Sequence, residues 1–193
     1  MRMSQILLFH HAQGLTPGVV AFADQLRIAG HTVHTPDLYE GHTFDTLDEG
    51  IGYARSVGFP TILERGVAAA EGLPDALVYA GFSLGVMPAQ QLAQNRPGGV
   101  GALFFDAAMP PEEFGGSWPE GVRLQVHGME ADPWFSGEDL DAAKALVGSV
   151  EGAELFLYPG DRHLFADSSL PSYDAEAAAL LTRQVKEFLA PGG

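Results

Sequence analysis

Six short apolar runs, at 5–10, 31–36, 76–82, 101–105, 122–127 and 154–158, punctuate the chain and read as β-strands bounded by Gly, Pro, Asp and His. Between them the apolar residues recur at helical spacing. Thr16 and Pro17 read as an N-cap and first helical residue, and Val20, Phe22, Ala23 and Leu26 carry that helix to a stop at Gly30. Asp45 or Thr46 caps a helix that runs to about Val57, with Thr46 and Glu49 at capping-box spacing. Phe59 and Pro60 break it, and a further helix over 61–71 ends at Gly72 and Pro74. Helices are also predicted from Ser83 to Asn95, over 138–147 and over 173–189. Strands that alternate with helices in this way predict an α/β fold: a mostly parallel sheet of six to seven strands, with helices on both faces and right-handed crossovers. The pattern shows neither a repeat nor a linker, so 1–193 is expected to form a single domain. Two long loops, at 107–121 and 128–137, are the places to look for function.

Composition narrows the function classes. Ten basic against 25 acidic side chains give a net charge of −15, which repels phosphate backbones and anionic lipid heads, so neither nucleic acid nor a membrane is an expected partner. The absence of cysteine removes disulfides, thiolate metal sites and a thiol nucleophile. The opening MRMSQILLFHH has too short an apolar run for a signal peptide or a membrane span, and a cytoplasmic location is expected.

The stretch VYAGFSLGVMPAQ, residues 78–90, organises the rest. An apolar strand stops at Gly81, turns over Ser83 with a second glycine at Gly85, and continues into a helix. So sharp a turn leaves no room for side chains beside the serine, lifts its Oγ off the sheet edge and points the free N–H groups of the helix start at whatever that oxygen attacks. In a parallel sheet the ligand crevice lies beyond the carboxyl ends of the strands. The residues just past those ends are His10, His11, Ala12 and Gln13, then Ser83, Asp106, Asp132, and Asp161 with His163. A serine, an acid and a histidine thus occur in that order, each after a different strand. Asp106 competes with Asp132 for the part of the acid, while Asp161 beside Gly160 reads as a turn former. His10 and His11 are neighbours whose side chains point to opposite faces, so they cannot share one ion, and no metal or cofactor is expected.

With these segments in hand, the sequence resembles the dienelactone hydrolase family, a compact branch of the α/β-hydrolase fold. The likeness is carried by LLFHHAQGL, HTVHTPDLYEG, GFSLG, HGMEADP and YPGDRHLF, and spans nearly the whole chain. It implies Ser83 as nucleophile, Asp132 as acid and His163 as base, with the backbone N–H groups of Ala12 and Leu84 forming an oxyanion hole. This sequence departs from the family members that cleave dienelactones at three places. Ser83 stands where they have Cys, His11 where they have Glu, and Asp167 where they have an Arg that holds the substrate's carboxylate. An anion in place of an anion holder is expected to repel such a substrate by about a kcal/mol or more at close range.

The expected reaction is hydrolysis of a carboxylic ester, lactone or thioester through an acyl-enzyme, with a small-molecule substrate and a monomer or homodimer as the working form. His11, Met109, Trp118, Trp134 and Phe135, together with Met87 and Phe114, are expected to line the substrate crevice. The competing readings are a catalytically silent binding protein that has kept the fold, and an acyltransferase.

Overall fold

Strands that are apolar at every position need cover on both faces, and a parallel sheet flanked by helices supplies it. In the computed structural model, which describes residues 3–190, six parallel strands pair in one sheet. They are β1 (Gln5–Phe9), β2 (Thr32–His34), β3 (Leu77–Phe82), β4 (Gly101–Phe105), β5 (Arg123–Met129) and β6 (Glu154–Tyr158), in the order β2-β1-β3-β4-β5-β6. Alternate residues feed two cores. On one face Leu7, Phe9, Tyr79, Phe104 and Val126 meet α2 (Leu47–Val57), α3 (Phe59–Ala68), α4 (Val86–Asn95) and α5 (Glu138–Ser149). On the other, Ile6, Leu8, Phe82, Leu103 and Phe105 meet α1 (Pro17–Ile28) and α6 (Ala175–Leu189). No helix among the described residues is long and apolar enough to cross a membrane.

The strand order fixes where a ligand can sit. From β1 the chain moves outward to β2, then returns to β3 on the other side of β1, so the loops after β1 and β3 diverge and open a crevice between them.

Local chemistry explains most element ends. The Thr16 side chain accepts from the Val19 N–H, and the reciprocal bonds of Thr46 and Glu49 form the capping box that opens α2. Val19, rather than Val20, is the residue of α1 that enters the core. The helix expected from residue 61 begins instead at Phe59. Gly58, with φ 96°, takes the whole bend, and Pro60 falls in the first turn, where a missing N–H costs nothing. β5 runs two residues past its expected end, to Met129, because its register with β6 continues to Tyr158.

A buried network ties the loop after β1 to the loop after β6. His11 Nδ1 accepts from the Gln13 N–H at 3.2 Å, so Nε2 carries the proton and donates to Asp167 Oδ2 at 2.7 Å. The Thr16 hydroxyl donates to the same oxygen, and Ser169 donates to Oδ1 from both its N–H and its hydroxyl. Gly18 passes so close that a Cβ there would strike the Asp167 carboxylate. Burial alone would raise the Asp167 carboxyl, but the bonds from His11, Ser169 and Thr16 outweigh it and hold the pKa below its ordinary value.

Two measurements test this packing. A Cβ at Gly66 in α3 would drive into Pro88 of α4, whereas at Gly52 in α2 it meets nothing within 4 Å. Calorimetry is expected to show Gly66→Ala lowering the unfolding midpoint, by overpacking worth about 1–3 kcal/mol, and Gly52→Ala raising it by about 0.5–1 kcal/mol of helix propensity. Asp167→Ala strips the acceptor from His11, Thr16 and Ser169 together. In urea it is expected to lose about 3 kcal/mol or more of unfolding free energy, since buried unpaired donors each cost about 1–3 kcal/mol.

Candidate active site

β3 ends at Phe82, and the chain turns over Ser83, whose φ of 49° lies in the left-handed region that side chains rarely adopt. Two glycines make the turn possible. A Cβ on Gly81 would strike the Gly85 carbonyl, and one on Gly85 would lie 2.5 Å from the His10 carbonyl oxygen. A 3-10 turn, Ser83–Gly85, then feeds α4, so Leu84 stands at the helix start beside the serine.

Two other strand ends meet Ser83. The loop after β6 brings His163 Nε2 to 2.9 Å from Ser83 Oγ, and the turn after β5 brings Asp132 Oδ2 to 2.7 Å from His163 Nδ1. The carboxylate can only accept from Nδ1–H, which leaves Nε2 with a lone pair facing the serine hydroxyl. Asp132 is fully buried, and its other oxygen accepts from the Trp134 N–H at 2.9 Å, so the acid is held from both sides. Both nitrogens of His163 are thereby committed to hydrogen bonds. Burial by itself would depress the His163 imidazole. The bond to Asp132 and the charges of Asp106, Asp132 and Asp139 more than reverse that, and its pKa lies above the ordinary value.

Asp106, just past β4, has φ 62° and lies against this group. Among the described residues four non-glycine positions have positive φ, and three of them, Ser83, Asp106 and Leu164, are gathered here. Strained backbone gathers where function requires it, which singles this place out as the candidate site.

The crevice beside Ser83 holds about 420 Å³. Leu47, Ile51, Phe59, Met87, Met109 and Trp134 give it apolar walls, and Ser83, His163, Asp106 and Asp139 supply its polar groups. Arg55 stands exposed at its mouth. Ala12 and Leu84 both line it. A larger depression of about 540 Å³ lies along α6, between Gln25 and Lys186, and contains neither a serine, a histidine nor a buried acid.

The structure separates the residues expected along the crevice. Met109 lines it, fixed by buried Gln90, which donates to its carbonyl at 2.8 Å and accepts from its N–H at 3.1 Å. Trp134 lines it too, half-exposed, with its ring 6.0 Å from that of His163. Four others lie elsewhere. Phe114 is buried at the end of a short 3-10 turn, Pro111–Phe114, and its carbonyl accepts from the Asn95 side chain at 2.9 Å. His11 is fully buried and spent on Asp167 and Gln13. Trp118 stands at right angles to the Phe104 ring, 6.1 Å away, and donates to the Val122 carbonyl at 2.7 Å, away from the crevice wall. Phe135 is fully buried against Gly128, whose missing Cβ makes room for its ring. Asp167 likewise sits in the network with His11 and not on the crevice wall, so the expected repulsion of a substrate anion has no contact through which to act. Sequence reasoning missed Leu47, Ile51, Phe59 and Asp139. The first three sit on or next to the amphipathic face of α2, which marks them as apolar but not as crevice residues.

Comparison with known proteins agrees with this architecture. A curated relative, the pimeloyl-[acyl-carrier protein] methyl ester esterase of Cronobacter sakazakii, is 29% identical over 120 residues, 62% of this chain and 42% of its own length, so the match spans less than half of that relative. Among solved structures, the dienelactone hydrolase of Anabaena variabilis superposes with a TM-score of 0.68 at 18% identity, over 97% of this chain and 85% of its own. A dienelactone hydrolase-like promiscuous phosphotriesterase from metagenomic libraries superposes with a TM-score of 0.70 at 16% identity, over 96% and 84% of the two chains. At these identities the structural matches speak for the fold. The model of the dienelactone hydrolase family matches residues 2–192, and the chain belongs to that family.

Proposed function

We propose that the crevice hydrolyses a carboxylic ester, lactone or thioester through an acyl-enzyme on Ser83. The observation that carries this reading is the unbroken chain of bonds from Ser83 Oγ through His163 to buried Asp132, at 2.9 and 2.7 Å, on the floor of an apolar crevice. Family membership supports hydrolysis of an ester-type bond, and a methyl ester esterase among the relatives is in keeping with it.

In this mechanism Ser83 Oγ attacks the substrate's carbonyl carbon while its proton passes to His163 Nε2. The tetrahedral oxyanion meets the N–H groups of Leu84 and Ala12, whose donation needs no reorganisation because both are backbone groups. His163 returns the proton to the leaving oxygen, or to the sulfur of a thioester, and the acyl-enzyme forms as the bond between that atom and the carbonyl carbon breaks. Water then repeats the sequence, giving its proton to His163 and releasing the acid and Ser83. Asp132 keeps the imidazole in the required tautomer and compensates its positive charge. Met87, Met109 and Ile51 give the hydrocarbon part of the substrate a dry wall.

A fluorophosphonate probe is expected to label the protein and to leave Ser83→Ala unlabelled. The same variant is expected to lose aryl-ester hydrolysis by a factor on the order of 10⁴ or more. Folded wild-type protein that resists the probe and hydrolyses no ester in a panel of increasing acyl length sinks the reading. Because His163 works as the neutral base and its pKa is raised, kcat/KM is expected to rise with pH, with its midpoint above the ordinary histidine value of about 6.5. A rate profile measured from pH 5 to 9 checks this, and a flat one contradicts a histidine base.

A further inference from the structure

One buried carboxyl has no task in that chemistry. Asp106 follows β4 directly, its N–H donates to the His127 carbonyl at 2.8 Å, and its side chain is 1% exposed. Neither of its oxygens receives a hydrogen bond of normal geometry, although the Leu164 N–H lies near enough to favour its charge. A carboxyl that is desolvated, without a well-formed hydrogen bond and carried on a left-handed backbone is unfavourable on three counts. The backbone does not require it, since Asn or Gly adopts the same conformation more readily. What it does have is a neighbour: one Asp106 oxygen, one Asp132 oxygen and a ring nitrogen of His163 lie within 4.8 Å of one another.

We propose that Asp106 is a positioning residue, a second carboxylate that faces His163 beside Asp132 and supports the imidazolium formed when Ser83 gives up its proton. This rests on the reading of Ser83 and His163 as nucleophile and base. Asp132 makes the directional bond to Nδ1–H, and Asp106 adds charge from a different strand end without competing for that proton. The positive charge is thus met from two sides while the oxyanion forms, and it disperses when the proton passes to the leaving group.

Titration follows from the surroundings. Burial pushes the Asp106 carboxyl up, with the Asp132 charge adding to it, while the positive charge of His163 and the Leu164 N–H hold it back, and it settles at about 7. The ionisable groups around it are His163 after β6, Asp132 after β5, Asp139 at the start of α5, Tyr158 on β6 and His127 on β5, with Arg183 of α6 reaching Tyr158. His127 is held neutral by burial, at about 3, and Tyr158 is pushed above its ordinary value, so neither changes charge near neutrality. Asp106 and His163 therefore titrate as a pair in the range where the protein would work.

The decisive experiment is an NMR titration of the His163 ring in the wild type, in Asp106→Asn and in Asp106→Gly. Both replacements suit the left-handed backbone and remove the charge. The midpoint is expected to fall by about one pH unit in each, because a carboxylate at this range raises a histidine by about that much. The acidic limb of kcat/KM is expected to move to lower pH with it, while the plateau kcat drops about tenfold, a combination that a merely structural role would not produce. Asp106→Asn is also expected to cost a larger factor in the Asp132→Asn background, where it removes the last facing carboxylate. A midpoint that stays put or rises in a folded variant overturns the proposal, as do equal costs in the two backgrounds. Ring titration needs no turnover. A wild type that hydrolyses nothing would refute the reading of Ser83, whereas an unmoved midpoint refutes only the role of Asp106.

Discussion

The crevice exists because backbone lies directly on backbone at the end of β1. A Cβ on Gly85 would lie 2.5 and 2.6 Å from the carbonyl oxygens of His10 and Phe9, and one on Gly50 of α2 would enter the Ala12 carbonyl. The elbow, the loop that holds Ala12 and the second turn of α2 are therefore pressed into one block, with no side chains between them to bend. Oxyanion stabilisation depends on donors placed before the reaction starts. In the proposed mechanism those donors are the N–H groups of Leu84 and Ala12, and the main-chain contact that the glycines allow is what spaces them.

Three buried imidazoles show how the same ring is set to different states. His10 is pushed down to about 4, mainly by burial, and accepts from the Leu38 N–H at 3.0 Å, a bond open only to its neutral form. His127, equally buried, meets a phenol and an amide, the Tyr158 hydroxyl at 3.0 Å and the Gln125 side-chain oxygen at 3.2 Å. His10 has the half-buried Asp37 carboxylate 3.7 Å from Nε2, too little to offset its burial, whereas His163 is bonded to Asp132 with Asp106 and Asp139 close by, and of the three it moves upward. Burial is common to all three; partner charge decides the sign. In a chain of net charge −15 acidic groups are plentiful, but here Asp106, Asp132 and Asp139 are concentrated around one imidazole and favour its charged form.

Much of this was legible in the sequence, and the limit has a physical cause. Buried parallel strands are apolar at every position and end at Gly, Pro or Asp, so their ends, and with them the positions of Ser83, Asp132 and His163, can be read from one-dimensional pattern. Thr46 and Glu49 announce α2 because a capping box is a local bond. Side-chain direction in the long loops is not local. Trp118 and Phe135 differ from Trp134 only in which partner claims them, the Val122 carbonyl, the gap at Gly128 or the crevice, and partners distant in sequence leave no periodic trace. The same holds for His11 and Asp167, separated by 156 residues, which looked like two unrelated departures from the family and form one bond. Asp106 stood out as a rival acid, but its burial without a well-formed hydrogen bond is visible only in three dimensions.

The bond between His11 and Asp167 also bears on how this branch could exchange substrates. Relatives with Glu in place of His11 and Arg in place of Asp167 carry opposite charges at the same two positions. An arginine introduced at 167 alone would meet the Nε2–H of His11 and the hydroxyls of Thr16 and Ser169, all of which now point inward as donors. A glutamate introduced at 11 alone would set a second carboxylate against that of Asp167. Either exchange made singly breaks the bond this chain has, so substitutions at 11 and 167 are expected to be non-additive.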